Sequence, residues 1–127
     1  MPRISPLVLV VDDNRDSADM LVEILQFKGV QARAAYDGGQ AVTLARSLAP
    51  AIVFLDLGMP VLDGYQAAAL LRSESAIPPY LVALTAWNDA ATKYRVAAAG
   101  FDRHVAKPSS VAEILAIIEG APVPAGA

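Results

Sequence analysis

Three uninterrupted apolar runs, Leu7–Val11, Ile52–Leu55 and Tyr80–Leu84, constrain this 127-residue chain more than any other feature. Apolar residues that do not alternate with polar ones predict strands covered on both faces, as in a parallel sheet with helices on each side. The first run stops at Asp12-Asp13, far short of a membrane span or a signal-peptide core. Weaker extended segments lie at Val30–Ala35 and Arg103–Ala106. Helical periods fill the gaps between strands. Ala18, Leu21, Val22 and Leu25 follow the i, i+3, i+4, i+7 rule, and Gly29 stands where that helix ends. Ala41, Leu44, Ala45 and Leu48 repeat the pattern until Pro50 stops it. Tyr65–Arg72, Ala90–Ala99 with Gly100 as its stop, and Val111–Ile118 supply three more helices. Five strand–helix units in succession predict right-handed crossovers and an α/β domain with a parallel sheet. The expected domain runs over residues 7–120, between short tails at 1–6 and 121–127. There is no internal repeat.

The polar residues cluster at the strand ends. In an open parallel α/β sheet, ligands bind beyond the carboxyl ends of the strands. Asp12-Asp13 follow the first strand, Asp56 the third and Thr85 the fourth, and Lys107-Pro108 follow the fifth. Three carboxylates placed together oppose one another's ionisation. A hard divalent cation such as Mg²⁺ relieves that conflict and keeps several waters. A carboxylate is also a nucleophile able to form an aspartyl-phosphate. A lysine and a hydroxyl beside it suit a phosphoryl group. The pattern points to metal-assisted phosphoryl transfer. The rest of the composition agrees: a net charge of -3, from 10 basic and 13 acidic residues, leaves no basic stripe for nucleic acid. With 0 cysteines there is no disulfide framework and no thiolate chemistry. A 55% hydrophobic chain with 18% charged residues is not a disordered one.

Taken in order, Asp12-Asp13, Phe54-Leu55-Asp56-Leu57-Gly58-Met59-Pro60 with Asp63-Gly64, Leu84-Thr85-Ala86 and Lys107-Pro108 resemble the receiver domain of bacterial two-component response regulators. The resemblance covers about Leu7 to Glu119. It implies a (βα)₅ flavodoxin-like fold of strand order 2-1-3-4-5. By the same resemblance Asp56 is the phosphoacceptor, and Asp13 and Asp56 ligate Mg²⁺, with Mn²⁺ as the substitute. Asp12 holds a metal-bound water, and the backbone carbonyl of Gly58 completes the protein ligands. Thr85 and Lys107 bind phosphoryl oxygens. Pro60 and Gly64 shape a turn, and the Lys107–Pro108 peptide is expected to be cis. His104 occupies a position, three before the lysine, that usually holds an aromatic residue that swings inward when Thr85 moves. The segment from Ala99 to Pro108 resembles receivers of hybrid histidine kinases in particular.

The implied function is a cytoplasmic phosphorylation switch, a signalling module that catalyses its own phosphorylation and slow hydrolysis. Its donor is a histidine kinase or a histidine phosphotransfer protein. Its reading surface is a protein-binding face built from Ala90–Ala99, Arg103–Val105 and Val111–Ile118. Neither DNA binding, membrane binding nor an effector segment after Glu119 is expected. A monomer or a weak phosphorylation-dependent dimer fits, as does a phosphate sink for, or a piece of, a hybrid kinase.

Plainer roles compete for the same residues. Asp12, Asp13 and Asn14 are all helix-capping types. Thr85 is by default a hydroxyl bonded to backbone. Lys107-Pro108 is by default a turn, with Ser109 capping the last helix. His104 is an edge-strand surface residue unless it acts in a switch. Trp87 is a surface aromatic, a lid over the site or a partner anchor. Among other functions, a dehalogenase-like hydrolase forms an aspartyl-phosphate too, but needs Asp-x-Asp where this chain has Asp12-Asp13-Asn14. A flavodoxin-like carrier needs a Ser/Thr-rich phosphate loop where this chain is acidic. An inactive scaffold would not need all of the chemical residues.

Overall fold

The computed structural model describes residues 7–57, 64–74, 79–85, 90–106 and 110–121. The elements run β1 (Leu7–Val11), α1 (Arg15–Phe27), β2 (Gln31–Ala35), α2 (Gly38–Leu48), β3 (Ile52–Asp56), α3 (Gly64–Glu74), β4 (Tyr80–Thr85), α4 (Ala90–Ala98), β5 (Arg103–Ala106) and α5 (Val111–Gly120). All pairings are parallel and the strand order is β2-β1-β3-β4-β5. The expected fold and order are therefore present.

Two apolar clusters sit on the two faces of the sheet. Val8 and Val10 of β1 with Ile52 and Phe54 of β3 pack against Ala18, Val22 and Leu25 of α1 and Ile114, Ile117 and Ile118 of α5. Leu9, Val11, Val53 and Leu55 point the other way, to Ala41 and Ala45 of α2, Ala67, Ala68 and Leu71 of α3, and Val96 of α4. Successive strand residues face opposite sides, so a run apolar at every position is what this two-sided burial requires. The core also takes in Ala121, buried at 8% exposure, the first residue of the segment expected to be a tail.

Helix ends follow from local chemistry. Asn14 caps α1 by accepting the Ser17 N–H at 3.0 Å, and Asp37 caps α2 through the Gln40 N–H at 2.7 Å. Gly29 (φ 87°) and Gly100 (φ 92°) end α1 and α4. In each case the glycine N–H bonds three residues back and the next N–H five residues back, a Schellman arrangement. This is why α4 stops at Ala98 rather than at the expected Ala99. The cap of α5 is a correction: Ser110, not Ser109, holds the Glu113 N–H at 3.1 Å. Ser110 stands three residues before a glutamate, the spacing of a capping box, whereas three residues after Ser109 comes Ala112.

Candidate metal centre at the carboxyl edge of the sheet

Strand pairing brings the acidic residues together. The Asp12 N–H donates to the Ala35 carbonyl at 3.1 Å, which carries the β1–β2 ladder one residue beyond Val11 and fixes Asp12 against the sheet end. Asp56 is the last residue of β3, paired with Leu84 of β4, and the next N–H, of Leu57, bonds the Leu84 carbonyl at 3.1 Å. β1 and β3 are adjacent, so their carboxyl ends meet. One carboxylate oxygen from each of Asp12, Asp13 and Asp56 lies within 4.8 Å of the other two. Asp12 is buried, Asp56 half-buried and Asp13 exposed.

Three carboxylates at that spacing are an electrostatic conflict. Near a protein surface, two like charges about 4 Å apart repel by about 4 kcal/mol. A small divalent cation resolves the conflict, and the donor set suits Mg²⁺: hard oxygens only, a limited number of them, and one open side for water. Opposite ligands of an octahedral Mg²⁺ are about 4.2 Å apart, so a cluster spanning 4.8 Å fits when one carboxylate acts through a water. Asp12 Oδ1 also accepts the Asn14 N–H at 3.0 Å.

Thr85 ends β4, buried at 3% exposure, and pairs with Ala106 of β5. His104 pairs with Ala83, two residues before Thr85. Side chains two apart share a sheet face, so His104 and Thr85 lie on one face, one strand apart. Val105 belongs to the cluster of α1 and α5, which places His104 on the α4 side, half-buried. Gly64 opens α3. Gly58, Pro60, Trp87, Lys107 and Pro108 lie outside the described residues.

The structure also shows a cluster that the sequence did not suggest. The Tyr36 hydroxyl donates to Asp19 Oδ1 at 2.5 Å, the Arg15 guanidinium stands 4.1 Å over the ring centre, and the Tyr36 N–H bonds Gln40 Oε1 at 3.0 Å. Together these tie the β2–α2 turn to the first turns of α1. The only sequence signal was the Arg15/Asp19 spacing of four; nothing marked the aromatic partner from another element.

Comparison with known proteins agrees with this geometry. The family model for the response regulator receiver domain matches residues 8–119. The chain belongs to the receiver domain family. Receivers accept a phosphoryl group and bind Mg²⁺ at an acidic pocket, and Asp12, Asp13 and Asp56 form such a pocket here. The DNA-binding response regulator MtrA of Mycolicibacterium smegmatis is 37% identical over 109 residues, which are 86% of this chain and 47% of that protein. The chain thus spans about half the length of the curated relatives it matches. The receiver domain of the Francisella response regulator 1452 superposes with a TM-score of 0.82 at 27% identity, covering 91% of this chain and 94% of that one. A co-crystal structure of the Saccharomyces cerevisiae phosphotransfer protein Ypd1 with the receiver domain of its downstream regulator Ssk1 matches at 0.82 and 27%, covering 91% and 89%. Among the described residues no helix is long and apolar enough to cross a membrane.

Proposed function

We propose that this receiver takes a phosphoryl group on Asp56 from the phosphohistidine of a histidine kinase or a phosphotransfer protein. The observation that carries the reading is the meeting of the Asp12, Asp13 and Asp56 carboxylates within 4.8 Å at the carboxyl edge of the sheet. An Asp56 carboxylate oxygen attacks phosphorus, the P–N bond to the imidazole breaks, and the imidazole keeps the bonding pair. Asp13 and Asp56 would hold Mg²⁺ directly, with the Gly58 carbonyl, and Asp12 through water. The cation supplies charge neutralisation as the phosphoryl group approaches three carboxylates. Thr85, held at the end of β4, and Lys107 bind the phosphoryl oxygens. Hydrolysis of the acyl phosphate returns the carboxylate.

The new charge on Asp56 is read through Thr85 and His104 on the face made by α4, β5 and α5. That face offers Tyr94, 76% exposed, and the exposed methyls of Ala97 and Ala98. Small residues let a partner helix approach closely. The partner read there is a protein, since a chain with a net charge of -3 offers duplex DNA no net electrostatic attraction.

Incubation with acetyl phosphate and Mg²⁺ is expected to add one phosphoryl group, detected as a mass shift. Chelation of Mg²⁺ should prevent the addition, and Asp56→Asn should abolish it. Full labelling of Asp56→Asn would overturn the assignment.

A further inference from the structure

A second polar network lies at the opposite, amino edge of the sheet. Arg72, near the end of α3, donates from Nε to the Gly100 carbonyl and from Nη2 to Asp102 Oδ1, each at 2.8 Å. The other oxygen of that carboxylate accepts the Leu81 N–H at 2.8 Å, and the Asp102 N–H donates to the Leu81 carbonyl at 2.8 Å. The first strand pair of β4 and β5 is Val82 with Arg103. Asp102 therefore adds one rung ahead of the ladder, with its side chain serving as an acceptor.

β5 is the strand that most needs such a rung. It has four residues and lies at the sheet edge, so few bonds set its register. A slip of one residue would carry the chain about 3.3 Å along β4 and turn the buried Val105 out of its cluster. The residue directly after β5 is Lys107. β5 itself carries the chain from Arg103 to Ala106, whose partner on β4 is Thr85.

We infer that Asp102, oriented by Arg72, is the register lock of β5 and a positioning residue for Lys107, acting from the far end of the strand. This rests on Lys107 being a phosphoryl ligand, as proposed above. The guanidinium holds the carboxylate in one rotamer, the carboxylate and the Asp102 N–H hold Leu81, and the fixed register sets where β5 ends, with Ala106, the residue before Lys107, opposite Thr85. Gly100 takes part through its backbone, its carbonyl accepting from Arg72 Nε at 2.8 Å.

The test measures initial rates of phosphorylation by acetyl phosphate with Mg²⁺, and Mg²⁺ affinity by calorimetry, on the whole chain. Asp102→Ala should slow phosphorylation by roughly ten- to a hundredfold, the scale of an ångström-sized misplacement. Its Mg²⁺ affinity should equal that of the wild type, because Asp12, Asp13 and Asp56 belong to the β1 and β3 ends. Asp102→Asn, which keeps an acceptor for Leu81, should recover part of the rate, and Arg72→Lys should be faster than Arg72→Ala. In a Lys107→Ala background, Asp102→Ala should cause no further loss. Losses that multiply in that double variant, or a wild-type rate in Asp102→Ala, would overturn the inference. If Asp102→Ala does not fold, Arg72→Ala takes its place in the same comparison, since it leaves both Leu81 bonds available. Phosphorylation that persists in Asp56→Asn, or is unaffected by Lys107→Ala, would instead overturn the reading of the site.

Discussion

Asn14 takes the capping role that three consecutive residues were equipped to fill, and the choice has a chemical consequence. A carboxylate that caps a helix aims its oxygens at that helix's N–H groups. With the Ser17 N–H held by Asn14, the Asp13 carboxylate is left to face Asp12 and Asp56. Tyr36 shows the opposite case, a side chain whose role comes from a partner in another element. Its pKa is raised above the ordinary value of 10.0, first because Asp19 accepts its proton in a hydrogen bond, with burial and the Asp19 charge adding to this and Arg15 opposing it. A raised folded pKa means that the contact's contribution is present below pH 10 and is lost as pH rises through the folded value. Tyrosinate absorbance followed against pH should therefore show Tyr36 ionising above 10, and Asp19→Ala should bring it back toward 10. An unchanged titration in that variant would remove Asp19 as the cause.

The three described helix ends with positive φ differ in how well their residues suit them. Gly29 and Gly100 adopt positive φ at no steric cost, and both were legible in the sequence as helix stops. Ala49 ends α2 at φ 47°, with its N–H on the Ala45 carbonyl at 2.9 Å. An alanine there strains by about 1–2 kcal/mol, offset in part by the freedom a glycine would have in the unfolded chain. Ala49→Gly should raise stability by about 0.5–1 kcal/mol in urea unfolding. Gly100→Ala should lower it by about 1–2 kcal/mol, because φ 92° is strained for an L side chain. Alanine carries no signal for this conformation, so only Pro50 marked that end of α2. The strands were legible because burial on both faces demands apolar residues at every position. The Arg72–Asp102 contact was not, since the pair is 30 residues apart and neither residue is unusual for a surface.

For the whole molecule, the sheet is a partition between two cores. Phe54 and Leu55 are neighbours in β3, both 0% exposed, yet they belong to different clusters. Phe54→Ala should cost about 3–5 kcal/mol and Leu55→Ala about 2–5 kcal/mol, each a large share of a domain's usual 5–15 kcal/mol. Distant residues without shared partners add; Phe54 and Leu55 share a backbone link but belong to different clusters, so their sum tests the partition. Phe54→Val and Leu55→Val, mild enough to be combined, should sum within about 0.5 kcal/mol in denaturant unfolding if the faces are independent. The chemical edge of the sheet was readable because capping and turn roles explain each residue alone but not the convergence of three carboxylates at the ends of two adjacent strands. The Tyr36 and Arg72 networks escaped because their meaning lies in three-dimensional proximity alone.

The partition also shapes what a partner can grasp. α4 packs on one face of the sheet and α5 on the other, while β5 forms the border between them. A protein that senses both helices must straddle that border, as a clip holds the edge of a card. Its footprint is long and narrow, so a small tilt of α4 relative to α5 changes the width of the edge rather than the contour of a surface. Phosphorylation would then be read as a gauge reads thickness.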